Sequence, residues 1–229
     1  MINQLLIGHF GIPQRPKRLP NPIDTLIATI LSQNTNDKNS YQAYKNLKIK
    51  YKSWEEISDT PRTKIEQTIR VAGLGKQKSY TIKKFLTSLK NKNGKFDLGY
   101  IKKMNNEEIL NELTLINGIG MKTASCVLLF SLNRNVCPVD THVHRTLKRI
   151  GLVRTKIPDK TFEKINRELP EGIAHQFHTN LIKLGREICK PSNPYCSICP
   201  VLKLCKFKQK NLDKVTISNN NSFLLLDSI

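Results

Sequence analysis

The sequence contains no long, uninterrupted apolar run. No stretch approaches the roughly 20 apolar residues that a membrane-spanning helix needs. Residues 1–11 also lack the basic region followed by an apolar region that marks a signal peptide. Hydrophobic residues make up 38% of the 229 residues and charged residues 24%, a composition typical of a globular chain with a core. We therefore expect a cytoplasmic protein that does not associate with membranes.

Acidic residues are scarce. The chain has 18 Asp and Glu against 38 Lys and Arg, a formal net charge of +20, and the excess is spread along the sequence. A surface of one sign favours a polyanionic partner, most often nucleic acid, because neutralised phosphates release counterions. Charge alone does not separate specific from nonspecific binding, and it indicates no chemistry.

Two-residue alternation of apolar and polar side chains, the pattern of a half-buried strand, is also missing, so we predict an all-α protein without internal repeats. The residues Ile23, Leu26, Ile27, Ile30 and Leu31 fall on one face of a helix. Three further helices are predicted from their end signals: one begun by Thr60–Pro61 and closed by Gly73, one from about Lys76 to Asn93 closed by Gly94, and one begun by a capping box of Asn105 and Glu108.

Two segments lack the helical pattern. Residues 11–22 are rich in proline and basic side chains and are predicted to connect an N-terminal helix to the first core helix. Residues 212–229 contain an asparagine run and are predicted to form a flexible tail. The tail contains an apolar stretch, residues 223–226, and the sequence leaves open whether this stretch docks on the body of the protein or on a partner.

Four of the six cysteines crowd into 17 residues: Cys189, Cys196, Cys199 and Cys205. In a cytoplasmic chain, such a cluster indicates a metal site rather than a disulfide framework. Four thiolates can hold either zinc or an iron–sulfur cluster. A single C-x2-C pair with longer, unequal gaps fits a cluster wrapped by one loop, but the spacing alone leaves both alternatives open.

Residues 117–123 predict a helix-hairpin-helix element. Gly118 and Gly120 flank Ile119 between two apolar helices, and glycine permits the positive φ and close approach that a tight turn needs. The free N–H groups that begin the second helix form a phosphate site that grips the DNA backbone without reading bases. Many helical connections contain glycine, so the triplet by itself is a weak signal.

Two residues near this element are candidates for catalysis. Lys122 lies in the first turn of the predicted second helix, where the helix dipole disfavours its positive charge, and a neutral lysine amine can attack an electrophilic sugar carbon. The alternative for Lys122 is a simple phosphate contact. Asp140 stands at the start of another predicted helix that closes at Gly151, and its alternative role is that of an N-cap.

The segment 113–145 resembles the helix-hairpin-helix/Gly-Pro-Asp superfamily of DNA glycosylases, and within it the endonuclease III family. The family pattern G-h-G-x-K-T-A is matched by Gly118, Ile119, Gly120, Lys122, Thr123 and Ala124. The pattern V-D-T-H-h-x-R is matched by Val139, Asp140, Thr141, His142 and Arg145. The similarity extends over roughly residues 5–207, with Asn117 standing where the family often has proline.

For the fold, the resemblance implies two lobes with DNA between them, so that Lys122 and Asp140 face each other across the cleft. We expect a six-helix barrel over residues 22–133 and a second domain formed by residues 1–21 and 134–211. The four clustered cysteines would hold a [4Fe–4S] cluster, and the lysines of their loop would present positive charge to DNA. We further expect a monomer that associates with the nucleoid of a prokaryote-like cell.

For the function, the resemblance implies base excision from double-stranded DNA that contains a damaged base or an abasic site. Lys122 would attack the sugar C1′ and form a Schiff base, Asp140 would stabilise positive charge or move protons, and β-elimination would cut the strand. The expected substrates are oxidised or damaged pyrimidines such as thymine glycol. Further DNA contacts are expected at Gln33, Asn34, Leu74, Gly118, Gly120, Thr123, Thr141, His142 and Arg145.

Some of these residues have structural alternatives. The segments Ser32–Thr35 and Leu74–Lys76 would fill the gap left by the extruded base, or they are ordinary helix ends. His142 would hold a flanking phosphate and orient Asp140, or it is a structural histidine.

Three other functions compete with this interpretation. One is removal of mismatched thymine or uracil on the same fold, although superfamily members of the purely base-removing type lack the lysine that stands here at Lys122. Another is a non-catalytic DNA-binding module, which predicts salt-sensitive binding without a covalent adduct. The third, an iron–sulfur electron carrier, leaves the net charge and Asp140 unexplained.

Overall fold

The structure is a computed structural model that describes residues 1–214 and residue 226. Within these residues it contains helices and no β-strand, which confirms the predicted all-α class. None of the described helices is long and apolar enough to cross a membrane.

The described chain forms two compact units. The cysteine unit comprises residues 1–15 and 134–214, and the hairpin unit comprises residues 16–133. In chain order the helices are α1 Ile2–Phe10, α2 Pro22–Leu31, α3 Asp37–Lys50, α4 Trp54–Asp59, α5 Arg62–Thr68, α6 Gly75–Asn93, α7 Asn106–Thr114, α8 Met121–Cys126, α9 Thr141–Ile150, α10 Pro158–Arg167 and α11 Ala174–Lys183. Single π-helical turns, Val127–Ser131 and Leu184–Ile188, continue α8 and α11.

Helix α2 forms the centre of the hairpin unit. Asn21 begins it by accepting a hydrogen bond from the Ile23 backbone N–H (2.9 Å), and Pro22 occupies the first turn, where its missing N–H costs nothing. The predicted apolar face is confirmed, since every one of its five residues is at most 1% exposed. This face and its neighbours bury α2 against α3, α6 and α8.

Most of the predicted helix ends are confirmed. The longest helix, α6, begins at Gly75, one residue before the predicted start, and closes at Gly94, whose φ of 63° is the left-handed value that favours glycine. Helix α7 begins with the predicted capping box, in which the side chains of Asn105 and Glu108 each bind the other's backbone N–H.

The prediction for α5 is wrong at its start, whereas Gly73 does end the helical stretch, which passes from α5 into a 3-10 turn. Thr60 closes α4 instead of beginning α5, because its Oγ1 donates to the Glu56 carbonyl oxygen (2.7 Å), and Pro61 itself precedes the first helical residue. Helix α5 ends at Thr68, and the chain continues as a 3-10 turn, Arg70–Ala72, before Gly73. The hydroxyl of a threonine between two helices can form a hydrogen bond with the end of the first or with the start of the second, and here it binds the end of the first.

The cysteine unit packs the N-terminal helix α1 on α11, and α9 on α10 and α11. The predicted connector, residues 11–22, is irregular through Asn21, but its last residue, Pro22, is already the first residue of α2. The predicted tail lies outside the described residues except for residues 212–214 and 226. The predicted assignment of residues 22–133 to a barrel and of residues 1–21 with 134–211 to a cluster domain stays a prediction.

Candidate functional site

The turn between α7 and α8 has the tight geometry predicted for the hairpin. Gly118 has a φ of 93°, and the Ile119 N–H donates to the Ile116 carbonyl oxygen (2.9 Å). A Cβ at Gly118 would lie 2.1 Å from Thr81 Oγ1 on α6, a distance that real atoms do not tolerate. Ile119 is 3% exposed and anchors the turn in the core. The glycine at position 118 is therefore required both by its backbone angle and by the helix behind it.

Gly120 is the N-cap of α8 and has extended backbone angles, so Met121 and Lys122 are the first two residues of the helix. Lys122 is half-buried, and Thr123 is buried at 3% exposure. The side chain of Gln33 fixes this helix start, because its Nε2 lies 3.1 Å from the Gly118 carbonyl oxygen and 3.3 Å from Thr123 Oγ1. The structure therefore brings together the predicted residues Gln33, Gly118, Gly120, Lys122 and Thr123 in the hairpin unit.

Two segments predicted to contact DNA contain backbone in the left-handed region. Asn34 has a φ of 50° and is exposed, and Leu74 has a φ of 47° with 48% of its surface exposed. Asparagine tolerates this conformation, whereas for leucine it is uncommon and strained. Leu74 also holds the N-cap position of α6 without a side-chain hydrogen bond. An exposed apolar side chain on strained backbone is unusual for an ordinary helix end and is typical of functional segments.

Asp140 is the N-cap of α9, as its structural alternative predicted. Its Oδ1 accepts a hydrogen bond from the Val143 N–H (2.8 Å), and the side chain is half-buried. Thr141, the first residue of α9, is exposed. Capping uses one carboxylate oxygen in this geometry, so the cap and a chemical role are compatible.

His142 and Arg145 interact on α9. Arg145 Nη2 lies 3.2 Å from His142 Nδ1 and donates to the Gly185 carbonyl oxygen (2.7 Å), while its Nε donates to the Cys189 carbonyl oxygen (3.0 Å). Burial lowers the pKa of His142, and the charges of Arg145 and Arg186 lower it further against the opposing effect of Asp140. The imidazole is therefore neutral at pH 7, and Arg145 fixes the backbone just before the clustered cysteines. The predicted DNA contacts of both residues stay predictions.

The four clustered cysteines line one cavity in the cysteine unit. Its walls also contain the side chains of Ile188, Pro194, Leu202 and Phe207, together with Arg149. Burial raises the pKa of the Cys199 thiol to about 11, and the other three thiols add to the shift. In the part of the chain that the structure describes, no three His, Cys, Asp or Glu side chains are arranged to hold a single metal ion.

Arg149 was missed by the sequence analysis. Its Nη1 donates to the Lys190 carbonyl oxygen (2.6 Å) and lies 3.5 Å from Cys189 Sγ, and its guanidinium lies 4.1 Å from the centre of the Phe207 ring. Its own carbonyl oxygen accepts hydrogen bonds from the Lys206 N–H (3.0 Å) and from Cys205 Sγ (3.1 Å). Arg149 thus joins the two ends of the cysteine loop. The only feature of the sequence that could have predicted this contact is the position of Arg149 four residues after Arg145.

Comparison with known proteins places these observations in a family. The model of the HhH-GPD superfamily of base excision DNA repair proteins matches residues 27–171. A putative DNA glycosylase of Arabidopsis thaliana is 37% identical over 73% of this chain, which spans 57% of that relative's length. Endonuclease III of Thermotoga maritima is 33% identical over 83% of this chain and 85% of its own.

The fold agrees with these sequence relations. The structure of a non-covalent complex of endonuclease III with DNA superposes with a TM-score of 0.75 at 28% identity, covering 90% of this chain and 92% of the other. The hairpin glycines, Lys122 and Asp140 all fall within the matched residues. This chain belongs to the HhH-GPD superfamily of base excision DNA repair proteins, and within that superfamily to the endonuclease III family.

Proposed function

We propose that the protein is a bifunctional DNA glycosylase that removes oxidised pyrimidines and then cuts the abasic strand. The observation that carries this proposal is Lys122 in the first turn of α8, directly after the tight glycine turn. A lysine at the beginning of a phosphate-binding hairpin is placed to reach a sugar rather than a base edge. The relatives named endonuclease III support the same chemistry.

In the proposed reaction, the Lys122 amine forms a bond to the sugar C1′ while the C1′–N bond to the damaged base breaks. The base leaves with the bonding electrons and takes up a proton. Ring opening then gives a Schiff base between Lys122 and C1′, and loss of a C2′ proton breaks the C3′–O bond. The strand is cut on the 3′ side, and hydrolysis releases the enzyme.

We propose that Asp140 stabilises the positive charge that develops at C1′ or moves protons in the later steps. Neutral His142 orients this region of α9 and holds a flanking phosphate. The segments 32–35 and 74–76 fill the gap that the extruded base leaves, with Leu74 as the apolar wedge. Each of these roles rests on the residue placements described above and on the family pattern.

The proposed function is tested with a labelled duplex that contains one thymine glycol, in single turnover. Direct nicks are measured before alkali, and total base loss is measured after hot alkali. The wild type should nick the strand without alkali, whereas Lys122→Gln should give no direct nick and far slower base loss. Lys103→Gln, which removes an exposed charge from the same unit, should behave as wild type.

Two outcomes would contradict parts of the proposal. If alkali-labile sites form without direct nicks in the wild type, the protein is a base-removing glycosylase, and Lys122 contacts phosphate. If the thymine glycol duplex is not nicked but a second duplex with a preformed abasic site is, the lyase step stands, and the damaged pyrimidine is the wrong substrate.

We also propose that Cys189, Cys196, Cys199 and Cys205 hold a [4Fe–4S] cluster. Four thiols around a cavity with apolar walls fit a thiolate-bound group, and two arginines lie beside the first cysteine to balance negative charge. Tetrahedral zinc needs all four sulfurs about 2.3 Å from one ion, whereas a cubane spreads them over four irons. The single C-x2-C pair with longer, unequal gaps fits a cluster wrapped by one loop, and the relatives named endonuclease III favour the cluster over zinc. When bound, it would hold the cysteine loop and its lysines in place.

The cluster is tested by iron and sulfide analysis of the purified protein. About four iron and four sulfide atoms per chain are expected, together with a broad visible absorbance. Cys199→Ala should lose both, whereas Cys126→Ala, which changes a buried cysteine of the hairpin unit, should keep them. One zinc atom per chain without sulfide would contradict the proposal.

A further inference from the structure

Lys78 on α6 is a fully buried lysine. Its side chain is 1% exposed, and its Nζ donates to the carbonyl oxygens of Leu31 (2.7 Å) and Ala72 (2.8 Å). In the part of the chain that the structure describes, no ion pair involves Lys78. Burying an ammonium group is expensive unless its donors are bound. The two hydrogen bonds to backbone carbonyl groups therefore offset part of the free-energy cost of removing the Lys78 ammonium group from water.

Both acceptors lie at the ends of helical segments. Leu31 is the last residue of α2, and Ala72 is the last residue of the 3-10 turn Arg70–Ala72. The final carbonyl groups of a helix lack partners within it and carry partial negative charge. One ammonium group thus joins the C-terminal ends of two segments whose residues are 41 positions apart in the chain.

The residues that follow these two ends are the segments predicted to enter DNA. Leu31 leads directly into residues 32–35, and Ala72 is followed by Gly73 and then by residues 74–76. On the far side of Leu74, the Lys78 backbone N–H donates to the Leu74 carbonyl oxygen (3.0 Å), a helical bond that any non-proline residue at this position would make. The bond that depends on the lysine side chain fixes the Ala72 carbonyl, two residues before the strained backbone of Leu74.

The same face of α6 supports the hairpin. Thr81, three residues after Lys78, closes the space that only a glycine at position 118 permits. Gln33, in the first of the two segments, is bound to the hairpin through the Gly118 carbonyl oxygen. Both segments and the hairpin turn are thus attached to the first two turns of α6.

We propose that Lys78 is a positioning residue that sets the segments 32–35 and 74–76 in the one arrangement needed to recognise an extruded base. The inference rests on the proposed function, since it takes these segments to be the DNA-inserting ones. Insertion into a duplex demands a fixed geometry, and misplacement by about 1 Å is costly. Burial lowers the pKa of Lys78 to about 8, so the group is still an ammonium at pH 7.

The test compares affinities for two duplexes of one sequence, undamaged or with one tetrahydrofuran abasic-site analogue, at pH 7 and one salt concentration. In Lys78→Met, the preference for the analogue should fall by about tenfold or more, because insertion is impaired. Affinity for the undamaged duplex should change by less than about twofold, because phosphate contacts remain. Thermal unfolding of each variant confirms that the folded protein is being measured.

Lys83→Met is the matched control. Lys83 lies on the same helix and donates to the Ser58 carbonyl oxygen and to that of Thr60 (2.9 Å), so its loss also removes two backbone bonds. These bonds close α4 and touch neither segment, and the preference for the analogue should remain at the wild-type value. If Lys78→Met does not fold, Lys78→Gln replaces it, because its neutral amide buries no charge, keeps a hydrogen-bond donor and is too short to reproduce both bonds of the Lys78 Nζ.

A folded Lys78 variant that keeps the wild-type preference would overturn the inference, as would an equal loss in Lys83→Met. These results would leave the proposed function intact. A wild type that binds both duplexes equally and forms no borohydride adduct would instead contradict the proposed function and, with it, the role of the two segments.

Discussion

Asp140 combines a structural and a proposed chemical role. Its Oδ1 caps α9 by accepting from the Val143 N–H, and the carboxylate charge is what the proposed chemistry requires. The two roles depend on different properties of the side chain. An amide oxygen can cap a helix, but only a carboxylate stabilises positive charge strongly or takes up a proton.

Substitution at Asp140 should therefore separate stability from activity. Asp140→Asn should change the free energy of unfolding by less than about 0.5 kcal/mol, and Asp140→Ala should cost about 1 kcal/mol because the cap is lost. Both should slow base removal in single turnover by about 100-fold or more. Denaturant unfolding and excision rates measured on the same samples check the prediction. Asp140→Asn with wild-type rates would leave Asp140 with the cap alone.

At this scale, the sequence predicted residues that belong to a local motif and missed those whose partners are distant. Lys122 and Asp140 stand within short patterns of defined spacing. Lys78 binds a carbonyl 47 residues away, and Arg149 binds one 41 residues away. A carbonyl acceptor belongs to the backbone and is present whatever the side chain, so the sequence does not reveal it as a partner. Because lysine is almost never fully buried, the sequence also gave no signal that Lys78 would be buried.

The hairpin is the element on which the proposed DNA grip depends. Its two glycines occupy different environments, although the sequence pattern treats them alike. Gly118 has a positive φ and Thr81 directly behind it, whereas Gly120 has a φ of −93° and open space where a Cβ would point. Only Gly118 is therefore fixed by the fold, and Gly120 is the N-cap of α8.

Alanine substitutions should reveal this difference. Gly118→Ala should destabilise the protein by about 2 to 3 kcal/mol, because it combines backbone strain with a steric clash. Gly120→Ala, the matched control, should cost less than about 1 kcal/mol. Denaturant unfolding measures both. Adding Thr81→Ala to Gly118→Ala should recover part of the loss, and equal costs at the two glycines would contradict this account of the turn.

Element types were easier to predict than element ends. The apolar face of α2 and the capping box of α7 are repeated or paired signals, and both were confirmed. Thr60 is a single polar residue between two helices, and its hydroxyl binds the preceding one. Which of the two helices Thr60 binds depends on the backbone of Pro61, whose ψ of 136° is extended. Local sequence propensity does not determine this angle.

At the scale of the whole molecule, the charge excess is set by composition, because 38 Lys and Arg stand against 18 Asp and Glu, and many of the acidic residues have local partners. Five ion pairs in the described chain engage Asp24, Asp59, Glu66, Glu112 and Glu163. Others, including Glu56, Glu108 and Asp140, bind backbone N–H groups at helix starts. These acidic groups therefore have local partners, and the excess of Lys and Arg in the sequence gives the positive charge expected of a protein that binds the DNA backbone.

The all-α class and the family followed from the sequence because both rest on patterns that span many residues. The proposed reaction depends most directly on Lys122. This residue is therefore the one at which the proposed function can be tested most sharply. If its amine attacks the sugar, a covalent intermediate must form during every turnover. No other proposed role for Lys122 requires a bond to DNA.

The most direct measurement is borohydride trapping on a duplex with one abasic site, followed by digestion and mass spectrometry of the adduct. We predict a covalent protein–DNA species in the wild type, attached at Lys122 and missing in Lys122→Gln. An adduct that persists in Lys122→Gln, or DNA binding without any adduct in the wild type, would contradict the claim that Lys122 is the nucleophile.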